Sequence, residues 1–187
     1  MLPTTENDQA PGPSPDLVRA AFRELHARRL HGFALLLVLR DRAQAARLAA
    51  DALTAASARL EALRHPERAA AWLRQHVVRH ARGTRPGRGR QPVDLGILGD
   101  LGADAGVVAG LALLAPRDRA AFIASAIERL DRRDVATIVD RDGKALDNLL
   151  RRARQRYIAG YLAVIPDAVG DGPLTARIRA VTRATMT

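Results

Sequence analysis

Apolar residues recur at helical spacing along most of this chain, and the pattern is most regular towards its C-terminal part. Between residues 144 and 161 they stand three or four positions apart, which places them on one face of a helix: Leu146, Leu149, Leu150, Ala153, Tyr157 and Tyr161. The opposite face carries amide and cationic side chains. The sequence therefore predicts a long helix that packs on one side and offers guanidinium groups on the other.

Shorter helical segments lead into this long helix, from about residue 111 onward. Asp131 precedes a short apolar pattern, so we expect it to be the N-cap of a short helix. The buried side of that helix would be Val135, Ile138 and Val139. Gly143 lies in the polar stretch before the long helix and supplies the backbone freedom for a sharp reversal. Two short helices, a tight turn and a longer basic helix follow the order of a helix-turn-helix.

The N-terminal half contains four more helical patterns. A basic stretch separates the apolar stripe of residues 17–25 from the apolar run of residues 30–39. Asp41 is expected to cap an Ala-rich helix that reaches about Leu63, and residues 67–82 are expected to form the fourth helix. We expect these four helices to bury one another.

Composition supports an all-α fold with two small helical domains. Ala, Leu and Arg dominate and aromatic residues reach only 3%, which favours packed helices over a β-sandwich. Residues 16–82 form the predicted four-helix N-terminal domain, and residues 107–162 the predicted helix-turn-helix domain. Residues 83–106 are rich in Arg, Gly and Pro and predict a flexible linker. Residues 1–15 predict a disordered arm and residues 163–187 a C-terminal tail.

The charge balance favours a polyanionic partner. The chain has 30 Lys and Arg against 20 Asp and Glu, a formal net charge of +10. Nucleic acid is the commonest partner of a soluble basic protein. High Ala and Arg usage also accompanies GC-rich coding, so a solvated basic surface is the alternative. The Arg residues of the linker leave a similar choice between a segment lying along phosphates and a solubilising tether.

No motif brings together the residues of a catalytic or metal site. His76 and His80 lie four positions apart, but Val77 replaces the Glu of a His-Glu-x-x-His zinc site. The chain has no Cys, and the apolar run of residues 32–39 is too short to span a membrane. We therefore expect no enzyme activity, no cofactor, no metal and no membrane contact, and a cytoplasmic location.

The C-terminal segments resemble the bacterial RNA polymerase sigma factors, most closely the extracytoplasmic-function type. The family's Leu-Pro-Pro-x-x-Arg motif is similar to residues 114–119 (Leu-Ala-Pro-Arg-Asp-Arg). Its Glu-Ile-Ala is similar to residues 134–136 (Asp-Val-Ala), and its Arg-Ala-Arg to residues 152–154. The resemblance implies a helix-turn-helix domain that holds duplex DNA upstream of the transcription start.

The N-terminal half resembles the family's polymerase-binding and promoter-opening domain. The matching segments are Asp-Arg-Ala-Gln-Ala at residues 41–45, Trp-Leu at residues 72–73 and Val-Val-Arg-His at residues 77–80. Two departures from the family concern charge. Asp147 stands where the family's recognition helix has a base, and Arg47 lies in a helix that is acidic in the family and binds the polymerase clamp.

The resemblance implies three sets of site residues. The DNA-binding set is Lys144, Asn148, Arg151, Arg152, Gln155 and Arg156, with Asn148 and Arg151 as the base-reading candidates. The polymerase-binding set is Gln44, Arg47 and Asp51. The promoter-opening set is Trp72, Arg79 and His80.

These sets predict a DNA-binding transcription initiation factor that directs RNA polymerase to promoters. Its partners would be double-stranded DNA and core RNA polymerase, with an anti-sigma protein as a further candidate. The alternative is a sigma-fold regulatory or protein-interaction module that no longer binds core polymerase, and Arg47 and Asp147 favour it.

Overall fold

The structure is a computed structural model that describes residues 14–39, 41–60, 62–63, 65–81 and 103–165. Every regular element within these residues is a helix, which confirms the all-α prediction. None of the described helices combines the length and the apolarity that a membrane span requires. Most of the predicted arm, linker and C-terminal tail lies outside the described residues.

The described part of the N-terminal half contains three helices, so the prediction of four is wrong. They are α1 (Pro15–Val38), α2 (Arg42–Ser57) and α3 (Pro66–Ala81). Helix α1 continues through the basic stretch at residues 26–29, because Arg and Ala are good helix formers and the stretch contains neither Gly nor Pro. A change from apolar to charged residues does not by itself end a helix.

The ends of these helices also differ from the predicted boundaries. Helix α1 begins one residue inside the predicted arm, because the Ser14 side chain accepts the Leu17 N–H at 3.3 Å and Pro15 suits the first helical position. Asp41 caps α2 by accepting the Gln44 N–H at 2.8 Å, as predicted. Helix α2 stops at Ser57, before the predicted Leu63, and the chain continues in hydrogen-bonded turns.

The described part of the C-terminal half contains four more α-helices. They are α4 (Ala105–Ala112), α5 (Pro116–Phe122), α6 (Arg132–Val139) and α7 (Gly143–Leu162). Helix α4 begins inside the predicted linker, because the Asp104 side chain accepts the Val107 N–H at 2.8 Å and caps it. Asp131 accepts the Asp134 N–H at 2.8 Å, which confirms the predicted cap of α6.

The reversal between α6 and α7 uses two residues with left-handed backbone conformations. Asp140 ends α6 with a φ of 56°, and Gly143 begins α7 with a φ of 45°. Asp is one of the few non-glycine residues that adopt this region readily. The reversal that the sequence predicted from Gly143 alone therefore also requires the left-handed conformation of Asp140.

Helix α7 buries the face that its sequence pattern predicted. Leu146, Leu149, Ala153, Tyr157 and Tyr161 are all buried, while Leu150 is half-buried. The Tyr157 ring stacks on Phe122 with 4.2 Å between the ring centroids. A Cβ atom at Gly110 of α4 would lie 2.7 Å from the Tyr157 ring, so only glycine lets α4 pack this closely against α7.

A buried ion pair joins the two halves of the described chain. The Arg74 guanidinium on α3 donates to both carboxylate oxygens of Glu128 at 2.6 Å. These side chains are only 6% and 10% exposed. Arg74 also donates to the Ala70 carbonyl at 3.0 Å and lies over the Phe33 ring. Bidentate charge-assisted hydrogen bonds of this kind are strong and fix orientation.

The position of Glu128 depends on a local change of helix type. Helix α5 continues into a π-helical turn, Ile123–Ile127, and the Glu128 N–H donates to the Ile123 carbonyl at 2.9 Å. Arg129 then takes a positive φ of 56° and ends the turn. A π turn shifts the residues after it around the helix axis, and here the residue that follows it is Glu128.

Two hydrogen bonds to backbone carbonyls add to this connection. Arg119 on α5 donates at 2.6 Å to the carbonyl of Leu37 in the last turn of α1, where helix carbonyls lack partners within the helix. Gln75 on α3 donates to the Thr137 carbonyl of α6 at 2.8 Å. Buried residues of both halves form one hydrophobic cluster. The division into two domains stays a prediction, since most of its linker lies outside the described residues.

Replacing Glu128 with Ala tests the buried ion pair. The change leaves the Arg74 charge buried without its carboxylate, and we expect the free energy of unfolding in urea to fall by about 3–5 kcal/mol. A double substitution, Arg74→Met with Glu128→Met, should recover most of that loss because no charge is then buried. Asp147→Ala, which removes an exposed ion pair, serves as the control and should have little effect. If Glu128→Ala and Asp147→Ala lowered the free energy of unfolding equally, the buried pair would contribute no more than an exposed one.

Candidate nucleic-acid interface

The outward face of α7 carries all six residues of the predicted DNA-binding set. Lys144, Asn148, Arg151, Arg152, Gln155 and Arg156 are each exposed. Other positions along the same helix are buried in the core, so the helix packs through its opposite face while this face remains accessible. An exposed row of cations and amides on a packed helix can contact phosphates and base edges in a DNA groove.

Two of the cations in this set are already engaged by a buried carboxylate. Arg152 donates to the two oxygens of Asp118 at 3.0 Å and 3.1 Å, and Arg156 lies 3.5 Å from the same carboxylate. The Asp118 side chain is only 6% exposed, whereas both Arg side chains are about half exposed. Arg152 and Arg156 therefore neutralise a buried charge on α5 and hold α7 in place, in addition to any outward role.

Sequence reasoning missed Asp118, because an acid in the first turn of a helix is ordinary. Nothing in the chain's periodicity connects Asp118 on α5 with Arg152 on α7, which are 34 positions apart. The signal lies in the packing of α5 against α7. Spacing along one helix cannot report such a contact.

The acidic residue on the outer side of α7 is also paired. Asp147 accepts a hydrogen bond from Arg132 at the start of α6, and the same Arg132 side chain donates to the Gly143 carbonyl at 3.2 Å. The hydrogen bond from Arg132 holds the pKa of Asp147 below its usual range. Asp147 is therefore ionised at neutral pH with its charge offset by Arg132, which reduces its repulsion of a phosphate.

Arg151 and Asn148 form a polar pair at the middle of the exposed face. The Arg151 Nη2 atom donates to the Asn148 side-chain oxygen at 3.1 Å. The bond links two exposed side chains one helical turn apart and limits their rotamers. Lys144 lies one turn before Asn148, near the start of the helix. Lys144, Asn148 and Arg151 therefore form a line of exposed polar side chains along the outer side of α7.

The polymerase-binding set lies on α2. Arg47 and Asp51 are exposed and one turn apart, and Gln44 is half-buried at the start of the helix. The structure therefore places a positive and a negative charge side by side on this surface. A basic partner surface would be attracted by Asp51 and repelled by Arg47.

The promoter-opening set belongs to a row of rings along α3. The ring centroids of Trp72 and His76 are 5.2 Å apart, and those of His76 and His80 are 4.0 Å apart. Trp72 is half-buried against the core, whereas Arg79 and His80 are exposed. His76 was not in the predicted set, although its spacing of four from both Trp72 and His80 is the signal that would have included it.

The α2 and α3 sets lie on neighbouring helices, because α2 and α3 pack together. Burial lowers the pKa of His76 below its ordinary value, and the nearby charge of Asp51 acts in the opposite direction. His76 is therefore neutral at pH 7 and presents an uncharged ring between Trp72 and His80. Helix α3 packs on α5 and α6 in the C-terminal half and pairs with Glu128, whereas α7 is not among the helices that pack closely on it.

No group of three or more His, Cys, Asp or Glu residues within the described ranges is arranged to hold a metal ion. Comparison of the chain with protein-family models, with curated proteins and with solved structures finds no match.

Single substitutions on α7 should distinguish Arg152, which pairs with the buried Asp118, from Arg151, which faces solvent. Arg152→Ala leaves Asp118 buried and incompletely paired, so we expect a lower midpoint of urea unfolding. Arg151→Ala removes the same charge from the same helix without exposing a buried carboxylate, and should leave the midpoint unchanged. Adding Asp118→Ala to Arg152→Ala should restore much of the lost stability. An unchanged midpoint for Arg152→Ala would show that the pair contributes nothing to folding.

Proposed function

We propose that this chain is a sigma-like, DNA-binding transcription initiation factor that directs RNA polymerase to promoters. The observation that carries the proposal is the outward face of α7, where Lys144, Asn148 and Arg151 are exposed on a helix whose other side is buried. In this proposal α6 and α7 act as a helix-turn-helix and α7 enters the major groove.

Affinity for DNA would come mainly from cations and specificity from few polar residues. The formal net charge of +10 attracts a polyanion over the whole surface. Arg151 and Lys144 supply phosphate or base contacts, and Asn148 has the side chain that pairs with adenine in the major groove. The Arg132–Asp147 pair supports this role, since it removes the repulsion that an unpaired acid would cause.

The α2 and α3 surfaces are proposed to meet polymerase and the opened promoter strand. Asp51 keeps the acidic character that the resemblance implies for clamp binding. The exposed Arg79 and the row of rings from Trp72 to His80 are suited to phosphates and to stacked bases. In this proposal the chain therefore presents two nucleic-acid surfaces and one protein surface.

A second function is favoured by the exposure of Arg47 on α2. A positive charge at the centre of the proposed clamp surface opposes binding to a basic partner. The alternative is a regulatory or protein-interaction module with a sigma-like fold that binds DNA or another protein without core polymerase.

Replacing Arg151 with Ala tests the proposed DNA surface. Loss of this cation from the interface should weaken binding to duplex DNA and reduce the slope of log affinity against log salt by about 1. Fluorescence anisotropy with a labelled duplex, titrated at several salt concentrations, measures both quantities. Arg152 is unsuitable for this test because it stabilises the fold through Asp118.

The matched control is Arg23→Ala, which removes one exposed positive charge from α1. We expect it to leave the salt slope unchanged. Asn148→Ala should reduce the preference for one duplex sequence over another more than it reduces overall affinity. If Arg151→Ala and Arg23→Ala behave alike, the outward face of α7 is not the DNA interface.

Replacing Arg47 with Asp distinguishes the two functions. If α2 meets the basic clamp, the change turns a repulsive contact into an attractive one, and core polymerase should bind severalfold more tightly in a pull-down or by biolayer interferometry. Arg23→Asp makes the same charge change elsewhere and should have no effect. Intact DNA binding with no detectable core binding by either the parent or Arg47→Asp would exclude the initiation factor and leave the regulatory module.

A further inference from the structure

The N-terminal part of α1 extends beyond the helices that pack against it. Helix α1 has 24 residues whereas α2, which packs back along it, has 16. At 1.5 Å per residue the difference is about 12 Å of helix. Every residue from Ser14 to Leu25 is exposed except Phe22, which is half-buried. The first buried residues are His26 and Leu30, and an unbroken buried run begins only at Gly32.

This projecting segment carries an apolar stripe instead of the polar surface that water favours. Leu17 is 61% exposed, Leu25 is 60% exposed and Val18 is 40% exposed. With Ala21 they recur at positions that share one face of a helix. Single exposed apolar residues are normal, but a contiguous stripe marks an interaction surface. The stripe has no cation, so it offers nothing to a phosphate backbone.

The spacing of Leu17, Ala21 and Leu25 within the stripe is self-complementary. Leu17 and Leu25 lie four residues on either side of Ala21 and are almost equally exposed. If two α1 segments cross antiparallel with the two-fold axis at Ala21, Leu17 of each copy meets Leu25 of the other. Ala21 then meets its own copy, and its small side chain lets the helices approach closely. In a two-fold interface, a contact from one position to a second position is always matched by the reciprocal contact, and Leu17 and Leu25 would form such a reciprocal pair.

Local charge also permits two copies to approach at this place. The chain as a whole is strongly positive, so two copies repel each other over most of their surfaces. Within residues 14–25 the charges balance, because the two bases Arg19 and Arg23 are matched by the two acids Asp16 and Glu24, and Arg19 pairs with Asp16 at 2.6 Å. The projecting segment is therefore a nearly neutral, apolar surface on a basic protein.

We propose that the N-terminal half of α1 is a self-association surface through which two copies of this chain form an antiparallel dimer. The contact is small, since fewer than the 20–30 residues per side of a standard interface take part. The dimer is therefore weak and reversible, with a dissociation constant on the order of micromolar or higher. This inference does not depend on the proposed function.

The absence of Cys from the chain allows a direct test by disulfide cross-linking. Ala21→Cys places a thiol at the proposed two-fold axis, where the two Cα atoms come within the roughly 4.4–6.8 Å that a disulfide requires. Mild oxidation should convert most of this variant to a covalent dimer. Arg23→Cys, an exposed position about 160° around the helix from Ala21, is the matched control and should remain largely monomeric.

Sedimentation of the uncross-linked protein provides the second measurement. The parent should shift from monomer to dimer as its concentration rises, and the transition should move to lower concentration at higher salt because the net repulsion is screened. Leu17→Glu combined with Leu25→Glu should abolish the shift. Leu113→Glu, at a residue 57% exposed on another surface, should leave it unchanged.

Three results would overturn the proposal. The first is a parent protein that stays monomeric at its highest soluble concentration. The second is equal cross-linking of Ala21→Cys and Arg23→Cys, which would place any dimer contact elsewhere. The third is an Ala21→Cys variant whose new thiol the monomer shields from a thiol reagent, which would mean that another segment of the same chain covers the stripe.

Discussion

The bidentate ion pair between Arg74 and Glu128 is the interaction on which the arrangement of the described helices depends. It crosses from α3 to the turn after α5, and both side chains are almost completely buried. A buried pair of this kind adds little net stability compared with apolar residues, but it tolerates no other geometry because separation of the charges leaves each unpaired. It therefore acts mainly by fixing where the C-terminal half lies against α3, and the carbonyl contacts of Arg119 and Gln75 reinforce the same arrangement.

Much of the local structure was predictable from the sequence, because caps and periodicity act within a few residues. Asp41 and Asp131 cap their helices, and the apolar face of α7 packs as its spacing indicated. The contacts that the sequence did not reveal are those between distant segments, Glu128 with Arg74 and Asp118 with Arg152. The roles of the predicted site residues have no such local signal, and they remain proposals that rest on exposure, charge and resemblance.

The charged side chains of the described residues fall into two groups, those that make contacts within the protein and those that are exposed to solvent. Arg74, Arg119 and Arg152 are engaged with carboxylates or carbonyls inside the described chain, so they contribute to the net charge without being wholly available to a partner. Lys144 and Arg151 on α7 and Arg79 on α3 are exposed.

Reconstituted transcription with purified core RNA polymerase tests the proposed function most directly. We expect that adding the protein to core polymerase yields transcripts with a defined start on some duplex templates, and that Arg151→Ala reduces them while Arg23→Ala does not. The result that would contradict it is the absence of start-specific transcripts from a genome-wide template library, with protein that binds duplex DNA normally.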